Sequence, residues 1–162
     1  MKVYLGLGTN IGSKKDNLTR AIDLLSLALG KCAALSQFIE TAPWGFESSN
    51  TFLNCAAAFD TMLSPLELLS ATQHVEREMG RTQKSHNGIY HDRIIDIDIL
   101  LIEDTVIESG RLTVPHPLMH KRTFVLEPLC QIAPDAMHPA IGKSIREILE
   151  ELLENEPNIT KG

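Results

Sequence analysis

The chain has 162 residues, 43% hydrophobic and 22% charged, with a net charge of -6, the profile of one ordinary globular domain over residues 1–162. An acidic balance without long blocks of like charge argues against non-specific nucleic-acid binding. No run approaches the roughly 18 apolar residues of a membrane span, and the opening MKVYLGLGTNIG is too short an apolar run for a signal peptide. Cys32, Cys55 and Cys130 are far apart and form no CxxC pair, which predicts a reducing compartment, the cytoplasm, without disulfide or zinc site.

In chain order, Val3 to Leu7 is apolar, and Leu18, Ala21, Ile22, Leu25, Ala28 and Leu29 then recur at helical spacing up to Gly30. This predicts strand then helix, with Gly6, Gly8 and Gly12 serving the turn between them. Ala33 to Ile39 and Phe52 to Phe59 read as two more strands, separated by a turn-rich loop from Thr41 to Asn50. Ser64-Pro65-Leu66-Glu67 is a capping box, and the helix it opens carries Leu66, Leu69, Thr72, Gln73, Glu76 and Met79 before Gly80 stops it. RIIDIDILLI, from Arg93 to Ile102, is a strand. The order β-α-β-β-α-β predicts an α+β ferredoxin-like sandwich: an antiparallel sheet with two helices on one face and the other face free for a ligand. A C-terminal hairpin from Asp104 to Val114 should follow, then mixed helix from Leu118 to Ile132. Ser144 and Glu147 cap a last amphipathic helix bearing Ile145, Ile148, Leu149 and Leu152.

Asp96 and Asp98 stand inside the most apolar run of the chain. Alternation along a strand sends Ile95, Ile97, Ile99 and Leu101 to one face and both acids to the other, about 7 Å apart. Two such anions repel each other unless something positive lies between them. Oxygen-only ligands suit Mg²⁺ completed by substrate phosphates. A solvated strand face, with the acids paired to Arg93 or Lys84, is the plainer alternative. Around the pair, Glu76 and Arg81 lead into a polar loop, Thr82 to Asp92, expected to be mobile and bearing Lys84, His86 and His91; Thr113-Val114-Pro115-His116-Pro117 is followed by Lys121 and Arg122. Acids facing two cationic segments form the electrostatic layout of phosphoryl transfer. GLGTNIGSKK contains neither GxxxxGK[ST] nor GxGxxG, which excludes a P-loop and a Rossmann fingerprint. Trp44 and Phe46, in a Pro/Gly loop rather than on a periodic face, suggest a flat ligand.

Taken together, GLGTNIG, ETAPWG, FLNCAA, TQHVEREMGR, HDRIIDIDILL and LTVPHPLMHKRTFVLEPL resemble the 6-hydroxymethyl-7,8-dihydropterin pyrophosphokinase family along the chain to about Pro134. The resemblance implies a ferredoxin-like fold, ATP and two Mg²⁺ ions, and transfer of the β,γ-pyrophosphoryl group to the pterin hydroxymethyl with release of AMP. It implies Asp96 and Asp98 as metal ligands, joined by Arg81 and Arg93 as the catalytic set. ATP contacts would come from Gln73, Glu76, Arg81, Arg93, Ile99, His116 and Arg122. The pterin would be held by Thr41, Ala42, Trp44, Phe52, Asn54, Asp96 and Phe124. Gln83 stands where many members carry a loop arginine, Pro117 follows His116, and Tyr90 and His91 occupy the usual place of a tryptophan followed by glycine. A monomer acting on small molecules, with neither nucleic acid nor membrane as partner, is expected. The rival readings are a non-catalytic ferredoxin-like binding module and a sheet-surface RNA binder, the latter opposed by acids on the strand and by the net charge.

Overall fold

β1 (Lys2–Thr9) buries Val3, Leu5 and Leu7 on one face and sends Tyr4, Gly6 and Gly8 to the other. The structure is a computed structural model that describes residues 1–41, 51–80 and 94–155. Gly12, at φ 69, makes the turn out of β1. Gly6 and Gly8 lie within the strand, so of the three glycines expected at the turn only Gly12 is there. α1 (Lys14–Leu29) buries Leu18, Ala21, Ile22, Leu25 and Leu29 in one stripe, while Ala28 falls outside it and is exposed.

The single strand expected from Ala33 to Ile39 is two, β2 (Cys32–Leu35) and β3 (Ile39–Thr41), both antiparallel to β4 (Phe52–Asp60). Ser36 causes the break. Its Oγ accepts the Ala56 amide at 2.8 Å and donates to the Gln37 carbonyl at 2.9 Å, replacing part of the backbone ladder by a side chain.

α2 (Pro65–Glu78) opens with the expected box: Ser64 Oγ accepts from the Glu67 amide, and Glu67 Oε1 accepts from the Ser64 amide. Its inner stripe is Leu68, Thr72, Val75 and Glu76 rather than one through Leu66 and Gln73, both of which are exposed. β5 (Asp96–Ile102) completes the sheet against β1. The order is β2-β4-β1-β5 with β3 also on β4, and every pairing is antiparallel. β2 and β3 fill one slot in tandem, which preserves the expected β-α-β-β-α-β arrangement.

One core lies between the sheet and α1 and α2, built from Val3, Leu5, Phe59, Ile97 and Ile99 against Leu18, Leu25, Leu68 and Val75. The opposite sheet face, expected to be free, is partly covered. After the hairpin β6 (Ile107–Glu108) and β7 (Thr113–Val114), a 3-10 turn (Met119–Lys121), α3 (Thr123–Ile132) and α4 (Ile145–Asn155) form a second core of Met119, Leu126, Leu129, Ile145 and Ile148 on Ala56, Leu100 and Leu101. Each such fully buried side chain contributes roughly 1.5–3 kcal/mol. A second hairpin, β8 (Met137–His138) and β9 (Lys143–Ser144), precedes α4, whose first turn carries the Ser144–Glu147 box.

The register of β5 shifts beside the site. Leu5 is opposite Ile99, but Tyr4 is opposite Leu101, so Leu100 is an extra residue, a β-bulge. Leu101 therefore turns into the second core instead of sharing a face with Ile97 and Ile99, and Ile102 returns to the helix side.

Candidate active site

Beyond the reach of the second core, the sheet face carries polar groups on a glycine floor. Gly8 pairs with Asn54 of β4 on one side and Asp96 of β5 on the other; Gly6 pairs with Ala56 and Asp98. The central strand thus contributes no side chain between amide and carboxylate. A Cβ on Gly8 would lie 2.8 Å from Asn54 Oδ1 and 3.7 Å from Phe52 Cδ1, which puts Phe52, Asn54 and Asp96 around one small hollow. Asn54 is buried, and its Nδ2 donates to Thr41 Oγ1 at 2.7 Å. The start of β4 is tied to α1 as well: Lys14 Nζ donates to the carbonyl and hydroxyl of Thr51, whose Oγ1 donates to Glu40.

The other wall follows β7. The His116 amide donates to the Leu100 carbonyl at 3.0 Å, docking this segment on the outer edge of β5 at the bulge. His116 Nε2 stands 3.9 Å from Asp98 Oδ1, and Nδ1 accepts the Leu118 amide at 3.2 Å. Burial, then the positive charge of Arg122, pushes the imidazole below its usual range, while the Asp96 charge opposes them. The neutral ring is favoured, and with Nδ1 accepting, its proton resides on Nε2, the atom turned to Asp98. Arg122 lies with its guanidinium carbon 5.6 Å from the centre of the Phe124 ring, a cation held over an aromatic face at the start of α3.

Thr41, Phe52, Asn54 and Asp96 thus gather around Gly8, while Asp98, His116, Arg122 and Phe124 follow one another along the other wall. Gln73 is exposed on α2, and Ile99 is nearly buried in the helix-side core. Glu76 accepts the Ile97 amide on Oε2 at 2.8 Å. Ala42, Trp44, Phe46, Arg81, Gln83, Lys84, Tyr90, His91 and Arg93, with the loop from Thr82 to Asp92, lie outside the described residues. Sequence reasoning missed Gly6 and Gly8 as site residues; their spacing of two along an apolar strand, matching the spacing of the acids, was the available signal. The donor set fits Mg²⁺. Two hard carboxylates project from one face, each paired with a glycine of β1, so that the central strand leaves room for phosphate oxygens and water to complete a shell.

The family model for 7,8-dihydro-6-hydroxymethylpterin-pyrophosphokinase (HPPK) matches residues 4–134. A 2-amino-4-hydroxy-6-hydroxymethyldihydropteridine pyrophosphokinase of Porphyromonas gingivalis is 49% identical over 138 residues, covering 85% of this chain and 93% of the relative. The protein of the same name from Aquifex aeolicus is 41% identical over 149 residues, 92% of this chain and 91% of that one. Among solved structures, Plasmodium falciparum HPPK-DHPS with pteroate superposes with a TM-score of 0.79 at 16% identity, over 99% of this chain. This chain spans 46% of that solved chain, and the likeness is one of fold. Because the matched span begins in β1 and runs past the end of α3, through every strand and loop that frames the two acids, the chain belongs to the 7,8-dihydro-6-hydroxymethylpterin pyrophosphokinase family.

Proposed function

We propose that this chain transfers the β,γ-pyrophosphoryl group of ATP to the hydroxymethyl oxygen of 6-hydroxymethyl-7,8-dihydropterin in folate biosynthesis, giving the pterin diphosphate and AMP, with Asp96 and Asp98 as ligands of two Mg²⁺ ions. The observation that carries the site assignment is the row Asn54–Gly8–Asp96, which sets an amide for a flat heterocycle beside a carboxylate for a metal with nothing between them. Thr41, Phe52, Asn54 and Phe124 are the pterin side, where aromatic rings stack and the Asn54 amide pairs with the polar edge of the heterocycle. Ala42 and Trp44, in the intervening loop, belong to the same pocket by the family pattern.

On the nucleotide side, the bound ions supply neutralisation of triphosphate charge and alignment of its oxygens. His116, with its Nε2 proton turned to the acids, and Arg122 hold phosphoryl oxygens. Arg81 and Arg93 are assigned to transition-state charge, and Gln73 and Ile99 to the nucleotide, on the family resemblance. Transfer through a loose transition state asks mainly for positioning and charge, so no strong general base is required.

Chromatography of a reaction containing ATP, Mg²⁺ and hydroxymethyl-dihydropterin tests this reading. AMP and pterin diphosphate in equal amounts, without ADP, are expected. Stoichiometric ADP would show γ-phosphoryl transfer instead, and nucleotide bound without turnover would leave a binding module.

A further inference from the structure

Glu76 is a buried acid on α2, at a height where that helix passes the outer edge of β5. A carboxylate loses most of its solvation at such a position and is tolerated only when strong donors replace water. One donor is the Ile97 amide, 2.8 Å from Oε2, a charge-assisted bond to backbone. Ile97 sits between Asp96 and Asp98, and among the described residues β5 is the terminal strand of its sheet, with β1 as its neighbour on the other side. The Ile97 N–H therefore points away from the ladder. Without an acceptor from α2 it would be an unpaired donor in a buried strand.

We propose that Glu76 is a positioning residue for the metal-ligating pair: its carboxylate, acting as a hydrogen-bond acceptor, fixes the peptide between Asp96 and Asp98 and so sets the separation and aim of the two acids. The proposal rests on the reading of Asp96 and Asp98 as Mg²⁺ ligands. The peptide joining Asp96 to Ile97 carries the pinned N–H, so its rotation would swing Asp96 relative to Asp98. A pair that shares ions tolerates roughly 0.5 Å of displacement. On the opposite side of the strand the pleat is held by β1, and two residues beyond Asp98 the His116 amide holds the Leu100 carbonyl. Ile97 is the point between the two acids where the outer edge is held by a side chain. What Glu76 supplies is an acceptor at a given reach, not a charge at a given distance from the ions.

Reach and charge separate in the variants. Glu76→Gln keeps the acceptor and loses the charge; Glu76→Asp keeps the charge and withdraws the acceptor by one methylene. The measurements are exchange of the Ile97 amide by NMR, the Mg²⁺ concentration at half-saturation of ATP binding by calorimetry, and the melting temperature. Glu76→Asp is expected to lose Ile97 protection at least about tenfold and to raise the Mg²⁺ midpoint about 10–100-fold, the usual effect of removing a group that orients a ligand. Glu76→Gln is expected to keep Ile97 protection within about threefold of the parent. A folded Glu76→Asp with a lowered melting temperature but an unchanged Mg²⁺ midpoint would reduce Glu76 to a structural residue and overturn the proposal. Glu76→Gln behaving like Glu76→Asp would assign the effect to charge and overturn it equally. Asp96→Asn is the control: an unchanged Mg²⁺ midpoint there would sink the ligand assignment itself, whatever the Glu76 variants do.

Discussion

Gly8 and Asn54 approach so closely that a methyl group on the glycine would sit 2.8 Å from the amide oxygen of the asparagine. Real side-chain carbons do not come so near, and the amide is also held by Thr41. Gly8→Ala should therefore push Asn54 out of place, raising the KM for the pterin while leaving ATP affinity within about twofold, at a stability loss of about 1–3 kcal/mol from overpacking. Steady-state kinetics with each substrate varied in turn would show the split; equal losses for both substrates would contradict it.

On the proposed reading, Asp96→Ala and Asp98→Ala each remove a metal ligand. Loss of a merely supporting group costs about 10–100-fold, so each variant should fall by more than two orders of magnitude in turnover. Both should fold, with melting temperatures at or above the parent's, because a repulsion between neighbouring anions is relieved. Near-normal Mg²⁺-dependent turnover in either would remove them from the metal site.

Ser64→Ala breaks the box that starts α2, the helix that carries Glu76. The expected loss is about 1 kcal/mol, or about 2–4 °C in melting temperature for a chain of this size. Calorimetry reads this directly, and no change would show that the helix start is held by packing alone.

His138 is a buried imidazole whose Nδ1 accepts the Ile141 amide at 3.1 Å, with the His120 ring 6.5 Å away. Burial first, and the neighbouring His120 second, lower its proton affinity in the folded state. The unfolded chain then binds more protons, so stability rises with pH across this window: it is full above the ordinary histidine value near 6.5 and falls as pH drops through the lower folded value. Urea unfolding between about pH 5 and 8 should show this slope, and His138→Asn, which keeps an acceptor for Ile141 but does not titrate, should reduce it to the part that His116 contributes. An equal slope in the variant would place the titration elsewhere.

The periodic parts of this fold were legible from residues alone. The stripe of α1, the alternation of β1 and β5 and both Ser–Glu boxes are signals that span a few residues and depend on no partner. The break at Ser36 depends on its hydroxyl meeting Ala56 across twenty positions, and two-residue strands such as Met137–His138 are too short to show a period. The role of Gly6 and Gly8 depends on pairing register, a relation between strands. Asp96 and Asp98 stood out by strand alternation and Asn54 and Phe124 only by a resemblance, whereas the inner stripe of α2 was read in part: Thr72, Glu76 and Met79 are buried as expected, but Leu66 and Gln73 are exposed and Leu68 and Val75 take the inner places.

The extra residue at Leu100 changes the phase of β5 midway along its length. Upstream of it, even-numbered positions are wet and acidic; at and beyond it, Leu100 and Leu101 plug an apolar core on that same side of the sheet. One strand can thus end an acidic stretch and begin an apolar one without leaving the ladder. The change of phase also works as an anchor against sliding. A shift of the strand by one place would drive both aspartates into the helix-side core and carry the apolar plug out of its socket, two errors committed at once. The acids are therefore held along the strand by leucines buried in a separate core.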